Sequence, residues 1–219
     1  MPRSYQQNCP IAKGLDVLGE RWTLLILREL IGGPRRYGVL RGQLPGIATN
    51  LLADRLRELE EAGLVDREEL PPPVARTVYT LSETGWRKVL PVMKSIAMFG
   101  LDMVVPDDSA LTPLNGFLAG ILLAIEPGTV GDVNASYRVE IDGRRFEFAV
   151  DRDGLNAAQG TPAVIVTTTA ADLIAARLGA TAAERKAALR RVKFDGDADA
   201  VEAMRRVFSL SGDPGLLAA

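Results

Sequence analysis

Three polar residues of the first half, Thr49, Asn50 and Arg57, have the side chains and the spacing of a nucleic-acid contact. With Ala53 they follow one another at steps of one, three and four residues, which places them on one face of an α-helix. Asparagine can pair with adenine through two hydrogen bonds, and threonine offers a hydroxyl and a methyl group. We predict that this face contacts base edges of double-stranded DNA. The alternative is that these residues form only the solvated side of a surface helix.

Several arginines near these residues are predicted to bind phosphates, which fixes the register of a protein on DNA without reading its sequence. They are Arg35, Arg36, Arg41 and Arg55, with Arg76 at the tip of a predicted hairpin. Residues 1–105 carry a formal charge of +2, and residues 106–219 carry −4. The charge difference places a DNA-facing surface in the first half of the chain.

Enzymatic and metal chemistry are disfavoured by the composition. The chain contains no histidine, which removes Ser-His and Cys-His catalysis, histidine general bases and most zinc sites. Asp195, Asp197 and Asp199 resemble the opening of a calcium loop, but Ala200 and Arg206 occupy positions that require glycine and glutamate. We therefore predict no enzyme activity, no metal and no cofactor.

The polar face requires a helix to carry it, which we predict from about residue 47 to residue 62. Its packing stripe is Leu52, Leu56 and Leu59, with Ile47 and Leu51 beside them. A helix over 37–44 and a Pro45-Gly46 turn precede it, and Gly63 supplies a left-handed stop. Strands over 64–68 and 77–81 follow. Two helices joined by a tight turn and followed by a hairpin form a winged helix-turn-helix.

Three further helices are predicted in the first half, over 10–18, 22–31 and 82–101. The last begins at a Ser82 cap and carries apolar residues at steps of three and four. Pro91 lies inside it and is expected to kink or divide it.

A polar, proline-containing segment over 105–109 is the predicted boundary between two domains, 1–105 and 110–219. The second domain starts with an apolar helix over 113–125. Strands over 137–141 and 146–150 are joined at an Asp142-Gly143 turn, and a third strand covers 162–168. Helices over 170–178, 181–191 and 197–210 enclose a short strand over 192–195. The predicted fold class is α+β with an antiparallel sheet in this domain.

The first domain resembles the HxlR-type branch of the MarR-like regulators over about residues 5–103. The resemblance rests on Asn8-Cys9-Pro10-Ile11-Ala12, on Gly19-Glu20-Arg21-Trp22, on Gly33-Pro34-Arg35-Arg36-Tyr37 and on residues 56–65 and 79–85. It implies a transcriptional repressor that forms a homodimer through its first and last helices and binds a palindromic operator. It also implies that Thr49, Asn50 and Arg57 contact DNA bases or the DNA backbone, and that Arg76 contacts DNA from the hairpin, which is the wing of this fold.

The second domain resembles the sterol-carrier-protein fold over about residues 112–210. The motifs are Asp142-Gly143, Thr168-Thr169-Ala170-Ala171-Asp172-Leu173 and Val192-Lys193-Phe194-Asp195-Gly196-Asp197. The resemblance implies an apolar pocket for a lipid-like effector, lined by Phe117, Ile121, Phe146, Phe148 and Leu173. The alternative is that these residues only fill a core, as apolar stripes normally do.

Cys9 stands where regulators of the HxlR type keep a cysteine that senses oxidants or electrophiles. A thiol at a helix N-terminus gains thiolate character, and Lys13 one turn on adds to it. The alternative is a small buried apolar residue at the dimer interface. Because the chain has one cysteine, a disulfide would have to be intermolecular.

The sequence therefore predicts a DNA-binding repressor whose second domain binds a small apolar molecule. An alternative is a lipid-binding or carrier protein whose first domain only dimerises; an enzyme that uses the second domain is a weaker alternative. No apolar run approaches the roughly 18 residues of a membrane helix, and the polar N-terminal residues lack the apolar stretch that is typical of a signal peptide. We expect a cytoplasmic protein without membrane contact.

Overall fold

The computed structural model describes residues 4–71, 76–101, 103, 132–152, 154–178 and 181–207. The chain divides into two compact units, Met1–Val105 and Pro106–Ala219. The first unit contains α1 (Pro10–Leu18), α2 (Thr23–Ile31), β1 (Arg35–Arg36), α3 (Tyr37–Gln43), α4 (Thr49–Glu61), β2 (Val65–Leu70), β3 (Arg76–Leu81) and α5 (Glu83–Leu101). Helix α3, a turn and helix α4 are followed by the β2–β3 hairpin, so the predicted winged helix-turn-helix is confirmed.

The strands of the first unit form a three-stranded antiparallel sheet in the order β1-β3-β2. Val65 pairs with Leu81 and Leu70 with Arg76, which sets the register of the hairpin. Strand β1 was not predicted, because two residues, Arg35 and Arg36, are too few to show an alternating pattern. Its pairing with Val78 and Tyr79 attaches the start of α3 to the hairpin.

The core of the first unit is built mainly from the apolar faces of α2 and α4. Ile26, Leu27 and Leu30 of α2 are fully buried, as is Leu52 of α4. Glu29 lies in the same core, also fully buried, and its carboxylate accepts hydrogen bonds from Arg28 at 2.8 and 3.0 Å. A buried carboxylate is tolerated only when it is paired in this way.

Helix α5 is continuous through Pro91, so of the two predicted outcomes, a kink or a division, the division does not occur. Its first half is anchored in the core by Trp86, Val89 and Met93. Its second half carries apolar side chains on the surface, and so does α1. The exposed apolar residues of the two helices are Ile11, Leu15, Val17, Val92, Ile96, Met98 and Phe99, and Met103 follows α5.

The start of α5 is bonded to the junction between α4 and β2. The Ser82 hydroxyl donates to the Gly63 carbonyl at 2.6 Å and accepts the Gly85 N–H at 2.8 Å, which confirms the predicted Ser82 cap. Gly63 has φ +66°, as its predicted role as a left-handed stop requires. At Gly85 a Cβ would stand 2.1 Å from the Leu64 carbonyl oxygen, so only glycine allows this approach.

The second unit contains β4 (Ala135–Ile141), β5 (Arg144–Asp151), β6 (Gly154–Asn156), β7 (Val164–Thr168), α6 (Ala170–Leu178), α7 (Ala182–Leu189), β8 (Lys193–Gly196) and α8 (Ala198–Val207). Its five-stranded sheet has the order β6-β5-β4-β7-β8. The predicted antiparallel sheet is wrong at one pairing, because β4 and β7 run parallel. The predicted helix over 113–125 lies outside the described residues.

A short connection explains how β7 reaches β4 in the parallel direction. Strand β6 has three residues and ends at Asn156, which pairs with Ala149 and thereby stands level with Ser136 of β4. Residues 157–163 then cross the end of the sheet, where the Ser136 hydroxyl donates to the Gln159 carbonyl at 2.7 Å. The chain enters β7 at Val164, opposite Tyr137. Residues 157–163 are therefore sufficient to connect β6 to β7.

The Asp142-Gly143 hairpin between β4 and β5 is confirmed. Both residues have positive φ, +49° and +75°, and Ile141 pairs with Arg144 on either side. The Asp142 carboxylate also accepts the N–H of Ala170 at 3.0 Å, which fixes the first turn of α6. This turn therefore joins β4 to β5 and also fixes the start of α6.

We predict that Gly85→Ala lowers the free energy of unfolding by about 1–3 kcal/mol, because the added methyl group collides with backbone. Urea denaturation followed by tryptophan fluorescence measures it, since both tryptophans, Trp22 and Trp86, belong to the first unit. Gly38→Ala is the control, because nothing lies within 4 Å of its Cβ position. Equal effects of the two substitutions would contradict the steric explanation.

Candidate nucleic-acid interface

Helix α4 presents the predicted polar residues to solvent and its leucines to the core. Thr49, Asn50 and Arg57 are all exposed. On the opposite side Leu52, Leu56 and Leu59 are at most 1% exposed. The helix spans Thr49–Glu61, slightly shorter than predicted: Ile47 is buried before it, and Ala62 is its C-cap.

The N-terminus of α4 carries no side-chain cap. Ala48 is the N-cap residue and has no polar side chain, so it cannot accept the N–H groups of the first turn. Thr49 and Asn50 stand beside these N–H groups and are exposed. A helix end of this kind can donate to an anionic group such as a phosphate.

A hydrogen bond from α3 and a glycine in the preceding turn determine where α4 begins. The Tyr37 hydroxyl donates to the Thr49 carbonyl at 2.6 Å, which joins the starts of α3 and α4. In the turn between them Gly46 has φ +91°, and an indole carbon of Trp22 lies 3.7 Å from the position of a Gly46 Cβ. Trp22 itself has φ +79°, a conformation that costs a non-glycine residue about 1–2 kcal/mol. Trp22 is half-buried in the first unit.

Arg57 is exposed but not isolated. Its Nη2 lies 3.0 Å from the Asp54 carboxylate and its Nε lies 3.9 Å from that of Glu61. The guanidinium side chain is 65% exposed, so it can reach a partner beyond the helix. Asp54 and Glu61 were not among the predicted site residues.

The structure places Arg55 differently from the other predicted contacts. Its side chain is 15% exposed, and its Nη2 lies 3.0 Å from the Glu20 carboxylate. Its Nη1 is paired with Glu58. Two carboxylates neutralise this guanidinium, and the pair with Glu20 links α4 to the segment before α2. Arg55 therefore stabilises the fold, and we omit it from the proposed phosphate contacts.

The remaining arginines also differ from one another. Arg35 is half-buried, and its guanidinium donates to the Gly32 carbonyl at 2.8 Å and the Pro34 carbonyl at 3.2 Å, at the end of α2. Arg36 and Arg41 are exposed, as is Arg76 at the start of β3. These exposed arginines lie around α3 and the hairpin, where they are accessible to a polyanion.

The outer strand of the hairpin is acidic. Asp66, Glu68 and Glu69 of β2 are exposed, and Arg67 is paired with Glu69 at 3.3 Å. Strand β2 is also an edge of its sheet. Charged side chains on an edge strand oppose pairing with another chain, and these carboxylates would repel phosphates.

Cys9 is the N-cap residue of α1 and is partly exposed. Its sulfur makes no regular capping hydrogen bond, but the backbone N–H groups of Ala12 and Ile11 lower the pKa of the Cys9 thiol below its usual value. The thiolate fraction at neutral pH rises accordingly.

The predicted pocket residues of the second unit are only partly described. Phe146 and Phe148 of β5 are 1% exposed and lie on the apolar face of the sheet, where Phe148 stacks on Tyr137 at 5.6 Å between ring centroids. Leu173 of α6 is half-buried. Phe117 and Ile121 lie outside the described residues. Within the described part of the chain, no helix has both the length and the apolar character to cross a membrane.

Several residues that shape the candidate interface were missed in the sequence. Asp54 could have been found, because it stands four residues after Asn50 and three before Arg57. Tyr37 and Glu20 could not, because their partners Thr49 and Arg55 are 12 and 35 residues away.

We predict that Tyr37→Phe loosens the start of α4, because it removes the hydroxyl that donates to the Thr49 carbonyl. The free energy of unfolding should fall by about 0.5–1.5 kcal/mol, and amide hydrogen exchange should accelerate at Leu52, whose N–H donates to the Ala48 carbonyl at 3.0 Å. Tyr79→Phe is the control, because no hydrogen bond of its hydroxyl is found within the described residues. Unchanged exchange in Tyr37→Phe would show that the bond does not hold the helix.

Comparison with known proteins identifies the first unit. Residues 17–108 match the model of the HxlR-like helix-turn-helix family. An uncharacterized HTH-type transcriptional regulator of Synechocystis sp. is 37% identical over 108 residues, 49% of this chain and 79% of the relative. The HTH-type transcriptional regulator YodB of Bacillus subtilis is 38% identical over 78 residues, 35% of this chain and 70% of the relative.

Among solved structures, the reduced form of YodB from B. subtilis covers 47% of this chain and 100% of its own at 32% identity, with a TM-score of 0.40. Because that score is below 0.5, the assignment rests on the sequence matches. The Synechocystis relative exceeds 30% identity over more than two thirds of its length. The chain belongs to the HxlR-like helix-turn-helix family, and the relatives it matches are named as transcriptional regulators.

Proposed function

We propose that the chain is a transcriptional repressor that binds a palindromic DNA operator as a homodimer. The observation that carries this proposal is a combination of two surfaces: an exposed polar face on α4, and exposed apolar side chains on α1 and on the second half of α5. The first surface suits DNA and the second suits another copy of the chain.

The apolar surface supports the homodimer. Ile11 and Phe99 are each 74% exposed, and Met103 is 65% exposed. Burial of such side chains contributes about 1.5–3 kcal/mol each, so leaving several of them in water is unfavourable. A two-fold dimer uses the same surface on both subunits, so the exposed apolar side chains of α1 and α5 can be covered by the same residues of a second copy.

The DNA contact follows from the exposed face of α4. Thr49 and Asn50 at its start are proposed to meet base edges, with Arg57 about two turns further on. Arg36, Arg41 and Arg76 are proposed to bind phosphates, and Arg35 contributes only by holding the end of α2. In a dimer the two α4 helices would enter successive major grooves about 34 Å apart.

The second unit is proposed to bind a small apolar effector in a sterol-carrier-like fold. The apolar face of its sheet, with Phe146 and Phe148, supports this proposal, as does the half-buried Leu173 on α6. The buried phenylalanines also serve as core, so the effector would occupy space beside them. For the effector to change the affinity for DNA, its binding must favour one spacing of the two α4 helices in the proposed dimer.

Modification of Cys9 is proposed as a second route of regulation. The lowered pKa of its thiol and its position at the N-cap of α1, two residues before the exposed Ile11, support the proposal. A change at Cys9 would then alter the surface through which the chain is proposed to dimerise.

We predict that Ile11→Asp and Phe99→Asp each convert the dimer to a monomer, because an unpaired charge buried in an interface costs about 3–5 kcal/mol. Native mass spectrometry of the full chain reports the oligomeric state and any apolar molecule that co-purifies. Affinity for the DNA upstream of its own gene should fall by more than ten-fold in both variants.

The control for these substitutions is Leu25→Asp, since Leu25 is 40% exposed on α2, outside the proposed interface. It should leave both the dimer and the DNA affinity unchanged. A wild-type chain that stays monomeric, or a monomeric variant with full affinity for DNA, would overturn the proposed mode of binding.

We predict that diamide converts the wild-type chain to a disulfide-linked dimer on non-reducing electrophoresis and changes its DNA affinity, whereas Cys9→Ser shows neither effect. The lowered pKa also predicts that alkylation of Cys9 by iodoacetamide reaches half its maximal rate at a lower pH than for a free cysteine. The absence of a dimer band together with unchanged affinity would exclude a sensing role.

A further inference from the structure

Asp54 lies at the centre of the exposed face of α4. At 100° per residue it stands opposite the buried stripe of Leu52, Leu56 and Leu59, on the same line as Asn50 one turn before it. Its side chain is 52% exposed. A carboxylate therefore occupies the middle of the surface that is proposed to enter the DNA groove.

The carboxylate of Asp54 is directed to Arg57. One of its oxygens lies 3.0 Å from Nη2 of Arg57, a direct charge-assisted hydrogen bond. A guanidinium has five N–H donors in a fixed plane, and this bond uses one of them. This bond directs the guanidinium toward Asp54, with the Glu61 carboxylate 3.9 Å from Nε, and at 65% exposure its remaining donors stay accessible.

Stability does not account for this arrangement. An ion pair between exposed residues three apart on a helix adds little to the stability of the helix. A carboxylate on a DNA-binding face also opposes binding, because every duplex presents phosphates. A residue that weakens binding to all sequences can still raise the preference for one of them.

We propose that Asp54 determines DNA sequence specificity: it positions the Arg57 guanidinium to donate to N7 and O6 of a guanine, and it repels phosphates from this part of α4. The inference rests on the proposed DNA binding by α4 and names the residue that makes this binding selective. Arginine bound to guanine by two hydrogen bonds is the commonest specific contact in the major groove. Asp54 acts through Arg57 and is a positioning residue.

The test is selection from a library of random-sequence duplexes by the full-length chain. The wild type should enrich a motif that contains guanines, and Arg57→Ala should lose the preference at specific guanine positions. Asp54→Asn should lose it at the same positions, by roughly five- to 150-fold against the other bases. Asp54→Glu keeps the charge within reach of Arg57 and should restore most of the preference.

Glu60→Gln is the matched control, because Glu60 is exposed on the same helix and forms no ion pair with Arg57. Both Asp54→Asn and Glu60→Gln remove one negative charge, and both should strengthen binding to an unrelated duplex. Only Asp54→Asn should change the enriched motif. The double variant Asp54→Asn/Arg57→Ala should enrich the same motif as Arg57→Ala, because Asp54 affects the guanine preference only through Arg57.

The outcomes separate this inference from the proposed function. If the wild type enriches no motif, the DNA-reading role of α4 fails. If the wild type enriches a motif that Asp54→Asn retains in full, DNA reading stands and the role of Asp54 is refuted. A loss of preference in Glu60→Gln equal to that in Asp54→Asn would show an effect of net charge alone, which also refutes it.

Discussion

The burial of one leucine stripe determines which side of α4 is available to a partner. Leu52, Leu56 and Leu59 are all at most 1% exposed, so a rotation of the helix would move apolar surface into water. The loss would be about 25 cal/mol for each Å² uncovered. Because this constraint acts through the core, the outward face of α4 (Thr49–Glu61) is fixed without any bound partner.

Local sequence patterns were sufficient to predict much of this structure. The helix-turn-helix, the Ser82 cap, the Gly63 stop and the Asp142-Gly143 hairpin were all predicted, because each depends on residues within a few positions of one another. Strand β6 and the parallel pairing of β4 with β7 were not, since three residues show no period and pairing partners are distant in the chain.

The sequence was sufficient to predict where the candidate site lies, but not which of its arginines are already paired with carboxylates. The spacing of Thr49, Asn50 and Arg57 placed them on one exposed face, as found. Arg55 was predicted to bind phosphate with the other nearby arginines, whereas it is paired with Glu20, which is 35 residues away. Charge counts from a sequence cannot show which cations are already paired, because the partners come from other elements.

The continuity of α5 through Pro91 has a mechanical consequence. A helix of 19 residues is a rod about 28 Å long, with Trp86 and Met93 fixed in the core and Phe99 at the opposite, solvent-facing end. A tilt of roughly 5° about the start of the rod displaces its far end by about 2.5 Å, since displacement equals length times angle. Small adjustments of the core-anchored start are thus amplified, as by a lever, at the exposed apolar end that carries Phe99.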